Sequence, residues 1–132
     1  MALPTLIDYV APVPPAGELP MNRAGWTLER DRAAVLVHDL QGYFVRPYAS
    51  GCPALRTALD GTAQVLAAAR INGVPVFYTA QQGDQDPRHR GLQRDLWGPG
   101  MSALPEHTEI VAEVAPADGE VVLTKHRYSA FM

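Results

Sequence analysis

The apolar residues of this chain fall into three short, nearly unbroken runs and one longer spaced run, a pattern that predicts a parallel α/β unit. Ala33 to His38 is apolar at nearly every position without alternation, as expected for a strand covered on both faces. Pro53 can open a helix at its first turn. Leu55, Leu59, Ala63, Val65, Leu66 and Ala69 then recur at helical spacing until Asn72-Gly73 supplies a stop, and Gly61 weakens the helix without breaking it. Val74 to Thr79 reads as a second strand with Pro75 near its start. The unit is β-α-β, hence parallel and right-handed. Pro116-Ala117-Asp118-Gly119 turns the chain into a third strand, Glu120 to Thr124.

The polar, Gly- and Pro-rich stretch from Ala80 to Pro105 predicts a long loop, a kind that is usually functional. Thr108 to Val114 predicts a short helix capped by Thr108, with Glu109 in its first turn. Five prolines before Asn22 (Pro4, Pro12, Pro14, Pro15 and Pro20) make residues 1–25 an extended arm, with Leu3, Leu6, Ile7, Tyr9 and Val10 as apolar anchors. In a doubly wound sheet of order 3-2-1 the first strand is left as an apolar open edge. The 132 residues therefore read as the N-terminal portion of one domain, expected to pair with a complementing C-terminal segment or to form a homo-oligomer.

Composition narrows the classes. Hydrophobic residues make up 47% and charged residues 19%, ordinary for a packed domain. Lys+Arg 11 against Asp+Glu 14 leaves a formal charge of −3, so nothing favours a nucleic-acid or anionic-membrane partner. Apolar runs fall far short of the roughly 20 residues a membrane span needs, and Met1 to Pro20 has no basic region before an apolar core. Cys52 is the single cysteine, which excludes an intrachain disulfide and suits a reducing, cytoplasmic setting. It lies between the first strand and its helix and reads as a bland thiol, not a nucleophile.

Chemistry collects where the strands end. Asp39 follows the first strand, Gln81 lies just beyond the second and Lys125 follows the third, all at the carboxyl edge where open α/β sheets bind ligands. An isolated acid there often only caps a turn, and Lys125 has the alternative of pairing with a structural carboxylate. Arg90 stands among Arg88, His89 and Arg94, where a solvated cluster is the alternative. By strand alternation His38 should point away from Asp39 into the core, with His126 similar and His89 and His107 solvated. Four scattered histidines do not support a metal site.

Four ordered motifs sharpen this picture: Val37-His38-Asp39-Leu40-Gln41-Gly42-Tyr43-Phe44, Tyr78-Thr79-Ala80-Gln81, Trp97-Gly98-Pro99-Gly100 and Lys125-His126-Arg127-Tyr128-Ser129-Ala130-Phe131. Together they resemble the isochorismatase family, particularly its branch acting on isochorismate-like enol ethers. The proline-bearing arm and Trp26 resemble that branch too. The resemblance implies a three-layer, doubly wound parallel α/β sheet of order 3-2-1-4-5-6, of which the first three strands are present. It implies a cofactor-free hydrolase of siderophore, phenazine or related biosynthesis, in which Asp39 protonates the vinyl ether of a small dicarboxylate. Lys125 and Arg90 would partner the carboxylates, Gln81 would hydrogen-bond one of them, and Phe44, Trp97, Gly98 and Tyr128 would complete the substrate site. In the family's amidases a nucleophilic cysteine comes from the later half, and Cys52 does not match it.

Overall fold

The computed structural model of the chain describes residues 6–130. The proposed anchor Leu3, Pro4 of the arm and Phe131 of the last motif lie outside them. A three-stranded parallel sheet, β1 (Val35–His38), β2 (Val76–Gln81) and β3 (Val121–Lys125), has the order β1-β2-β3, the 3-2-1 arrangement read from its other edge. Helix α1 (Gly42–Val45) follows β1, and α2 (Pro53–Ile71) makes the crossover to β2.

Helix α2 starts where Pro53 occupies its first turn, a position whose N–H needs no helical partner. Leu59, Leu66 and Ala69 are buried on one face, with Leu55 and Ala63 packed beside them, whereas Val65 of the same spaced run is exposed and lies off that face. The helix ends in a Schellman arrangement: the Val74 N–H reaches Ala69 O at 2.9 Å and the Gly73 N–H reaches Arg70 O at 3.3 Å, with Gly73 at φ +68°. Val37, Val76, Tyr78 and Val114 join the α2 residues in the core.

Several sequence expectations change, beginning with the second strand, which runs Val76–Gln81 and not Val74–Thr79, and the third, which runs Val121–Lys125 and not Glu120–Thr124. The first strand begins at Val35, not Ala33; it lies at the open edge that the 3-2-1 order predicts, and its apolar residues are not covered on both faces, Leu36 being 48% exposed. Only β2, which has neighbours on both sides, matches its unbroken apolar sequence with burial. The stretch from Ala80 to Pro105 is not one loop, because Pro87 and Leu92 open two short helices, α3 (Pro87–Arg90) and α4 (Leu92–Trp97). The helix expected from Thr108 lies earlier, as α5 (Pro105–Thr108). Pro105 supplies the start and Thr108 the last turn, after which Ile110 bridges to Gln41 and residues Ala112–Val114 form a 3-10 turn.

The arm is docked at its beginning: the Ile7 N–H donates to Pro47 O and the Ala49 N–H to Ile7 O, both at 2.7 Å. Its described residues are extended except for a 3-10 turn at Ala16–Glu18. Among the described residues no helix is long and apolar enough to cross a membrane.

Candidate active site

Parallel register delivers the polar residues to one edge. Opposite His38 on β1 stands Thr79 on β2, and opposite Gln81 stands Lys125 on β3. Asp39 is the first residue beyond β1, and its backbone is in the left-handed region at φ +52°, a conformation uncommon for a residue with a side chain. The turn is closed by the Asp39 N–H donating to Thr79 O at 3.1 Å and the Gln41 N–H donating to Asp39 O at 2.8 Å.

This turn corrects the expectation for His38. Alternation sends consecutive side chains to opposite faces only while a strand continues, and here it stops at His38. His38 and Asp39 therefore reach the same group: Lys125 Nζ is 2.6 Å from Asp39 Oδ2 and 3.2 Å from His38 Nε2. His38 is half-exposed and is no core histidine. His107 is not merely solvated either, because Ser102 Oγ lies 2.6 Å from its Nδ1 and Arg46 contacts its Nε2. His89 is exposed, as expected, and packs against the partly buried His126 ring at 5.3 Å.

Both oxygens of Asp39 are engaged. Thr79 Oγ1 donates to Oδ1 at 2.7 Å, while Lys125 and, at 3.1 Å, Gln81 Nε2 donate to Oδ2. Burial alone would push this carboxyl up, but the hydrogen bonds from Lys125, Thr79 and Gln81 and the Lys125 charge together hold it below the ordinary carboxylate value of 3.8. The ammonium is itself only 3% exposed. Its third donor goes to Tyr128 O at 3.0 Å.

The remaining positions border a cavity of about 280 Å³. Asp39, Lys125, Gln81, Arg90, Phe44, Trp97 and Tyr128 all contribute to its wall, so the structure brings together every sequence-proposed site residue except Gly98. Gly98 serves Arg90 instead: at φ +73° its carbonyl accepts from Arg90 Nε at 3.0 Å. Gly100 does border the cavity, and a Cβ there would come within 2.5 Å of Arg90 Nη1, so only glycine leaves the guanidinium its place. Arg90 is 6% exposed and is not the solvated group its arginine-rich surroundings allowed. A wider apolar groove runs between β1, α2 and the arm, but His38 is its only ionisable neighbour and the chemistry lies elsewhere.

Sequence reasoning passed over two supporting side chains. Thr79 was visible as a buried-type position carrying a hydroxyl in the middle of an apolar strand. Gln41 is fully buried and acts as a clamp: its Nε2 donates to Gln81 O at 2.8 Å and Thr108 O at 2.7 Å, while its Oε1 accepts from the Gln81 N–H at 2.7 Å. Cys52 is buried at the start of α2, remote in role from this cluster, with its thiol 3.7 Å from Tyr9 O.

Known proteins are similar to this chain in sequence and in fold. The model of the isochorismatase domain matches residues 33–132. Phenazine biosynthesis protein PhzD of Pseudomonas fluorescens is 45% identical over 130 residues, which cover 98% of this chain and 60% of that protein. The isochorismatase of Bacillus subtilis is 41% identical over 132 residues, covering 99% of this chain and 41% of that protein. The chain thus spans about 60% and 41% of the length of these two relatives. Among solved structures, a cysteine hydrolase from Pseudomonas syringae aligns with a TM-score of 0.65 at 28% identity, covering 86% of this chain and 55% of that one. With the domain match spanning every strand of the sheet and both relatives aligned along almost the entire sequence, the chain belongs to the isochorismatase family.

Proposed function

We propose that this chain carries the acid and anion-binding side of a hydrolase that cleaves the enolpyruvyl vinyl ether of isochorismate or its 2-amino analogue. Arg90 carries the reading: it is a buried guanidinium on the cavity that holds Asp39, and among the described residues no carboxylate lies within salt-bridge range of it. A buried charge without a partner is costly, and an anionic substrate would remove that cost. The names of the relatives, a phenazine biosynthesis protein and an isochorismatase, support the same choice.

The chemistry begins with transfer of the Asp39 proton to the terminal methylene carbon, giving a methyl group and an oxocarbenium centre. Water adds to that centre and returns a proton to the Asp39 carboxylate. The hemiketal then collapses with cleavage of its bond to the ring oxygen, the hemiketal hydroxyl proton passing to that oxygen, and releases pyruvate and a dihydro-dihydroxybenzoate or dihydro-hydroxyanthranilate. Net consumption is one water, and no side-chain nucleophile is involved. Lys125 uses its three N–H groups within the protein, so its part is to control the charge of Asp39, while Arg90 holds the substrate carboxylate.

The free site keeps Asp39 ionised, whereas its role requires a proton. A bound carboxylate offsets the positive charge of Lys125 and Arg90, and a ring between Phe44 and Trp97 displaces water, both of which raise the Asp39 pKa. The acid is therefore formed in the complex. The pKa limiting kcat is expected above that limiting kcat/KM.

A second reading, favoured by the exposed apolar edge of β1, is that turnover requires a complementing segment or a second copy laid against that edge. Assay of pyruvate release from isochorismate addresses both readings. Asp39→Asn is expected to lower the rate by about 10²- to 10⁴-fold, and a variant as fast as the parent removes Asp39 from its role. A parent chain silent alone, but active once mixed with the later segment of a relative, selects the second reading.

A further inference from the structure

We propose that His38 is a positioning residue whose neutral imidazole, protonated on Nδ1, aligns both Lys125 and Thr79 on the two oxygens of Asp39. The assignment follows from counting donors. An ammonium can only donate, so His38 Nε2, 3.2 Å from Lys125 Nζ, must be the bare nitrogen. Lys125 thereby fills its three donor directions with Asp39 Oδ2, Tyr128 O and His38 Nε2. Thr79 has one hydroxyl hydrogen, and it points to Asp39 Oδ1 at 2.7 Å. His38 Nδ1, 2.9 Å from the same hydroxyl oxygen, must then be the donor to it.

The four side chains close a ring in which His38 donates to Thr79, Thr79 donates to Asp39, and Lys125 donates to both Asp39 and His38. The orientations agree with one another, and the two that involve His38 require the Nδ1–H tautomer. Without the imidazole, the Thr79 hydroxyl is free to rotate off Asp39 and the Lys125 ammonium loses its third acceptor. Asp39 itself sits on a strained left-handed turn, so its direction depends on these contacts more than that of a residue within a strand. The ring is built from one residue on each of β1, β2 and β3 together with Asp39, which makes it a product of the sheet register.

Two measurements test the proposal, and the kinetic one rests on the vinyl-ether reading. In the full chain, His38→Leu is expected to lower kcat about 10- to 100-fold with KM little moved. His38→Gln, whose Oε1 stands near the Nε2 position and can accept from Lys125, is expected to recover most of that loss, and His38→Asn is not. A His38→Leu variant with parental kcat, or equal losses in all three, overturns the proposal. The second measurement needs no substrate: ¹⁵N chemical shifts of labelled histidine, assigned by the signal missing from His38→Gln, are expected to show the neutral Nδ1–H form at neutral pH. An Nε2–H or doubly protonated His38 overturns it even if the chain cleaves vinyl ethers. A chain inactive on them but with the Nδ1–H form leaves the ring standing and removes the functional reading instead.

Discussion

Two ion pairs, one at the surface and one buried, are made at the ends of the sheet, and they differ in what is left over once the pair has formed. Arg70, near the end of α2, meets Glu120, just before β3, with Nε and Nη2 at 2.9 and 2.8 Å from the two carboxylate oxygens. The Ala117 N–H also donates to Glu120, while Arg70 reaches Ala115 O and comes within 3.2 Å of Tyr78 OH. Every strong group has a partner within the chain, and no cavity described above adjoins the pair. Asp39 and Lys125 are as close, yet they border an open cavity with the carboxylate-free guanidinium of Arg90 on its wall. Both carboxylates are held below their ordinary values by a neighbouring cation, so a lowered pKa does not separate structure from chemistry here. The buried guanidinium beside the cavity, with no carboxylate in salt-bridge range among the described residues, does.

Substitutions at the cavity should therefore act on turnover, and those at the Arg70–Glu120 pair on stability. The largest effect is expected from Lys125→Met, which removes the shared donor that aligns Asp39 Oδ2 with His38 and Tyr128: kcat/KM should fall about 10²-fold, the size expected for a misplaced catalytic group. A loss of only a few-fold would make this pair structural like the other.

Arg90→Gln comes next. Loss of a charged hydrogen bond to a substrate carboxylate is expected to raise KM about 10- to 100-fold while kcat changes much less. A fall in kcat with KM unchanged would instead place Arg90 on the reacting atoms.

Glu120→Gln should barely touch turnover and show itself only in acid. The Arg70 guanidinium lowers the Glu120 carboxyl from 4.5 to about 2. A carboxylate depressed on folding stabilises fully above its unfolded value, and that contribution is lost as pH falls from 4.5 toward about 2. Urea midpoints measured through this range should fall less steeply for Glu120→Gln than for the parent. Identical slopes would deny the pair its part in the fold.

Much of this was legible in the chain itself. The Leu55–Leu59–Ala63–Leu66–Ala69 stripe gave the crossover helix and its buried face, because helical periodicity is local. Asp39, Gln81 and Lys125 were readable as one edge because each comes where a parallel strand ends. His38 was misread, since alternation is a rule about strands and a single φ of +52° at Asp39 ends the strand before the rule can apply. Gly98 and Gly100 looked alike in their motif, and only packing around Arg90 showed that one offers a carbonyl while the other offers room. Apolar runs predicted two covered faces for β1, but burial depends on neighbours across the sheet, which a run of residues cannot specify.

Local patterns along the chain therefore specify the β-α-β order, the carboxyl-edge position of the acid and the lysine, and the motif set that marks the family. Tertiary structure alone decided which hydrogen goes to which atom: the register that sets His38 against Thr79 and Gln81 against Lys125, the turn that brings His38 and Asp39 to one ammonium, and the burial that leaves Arg90 without a carboxylate. Patterns along a chain fix direction and spacing within an element. Distances of 3 Å between residues some 40 or more positions apart exist only after the elements pack.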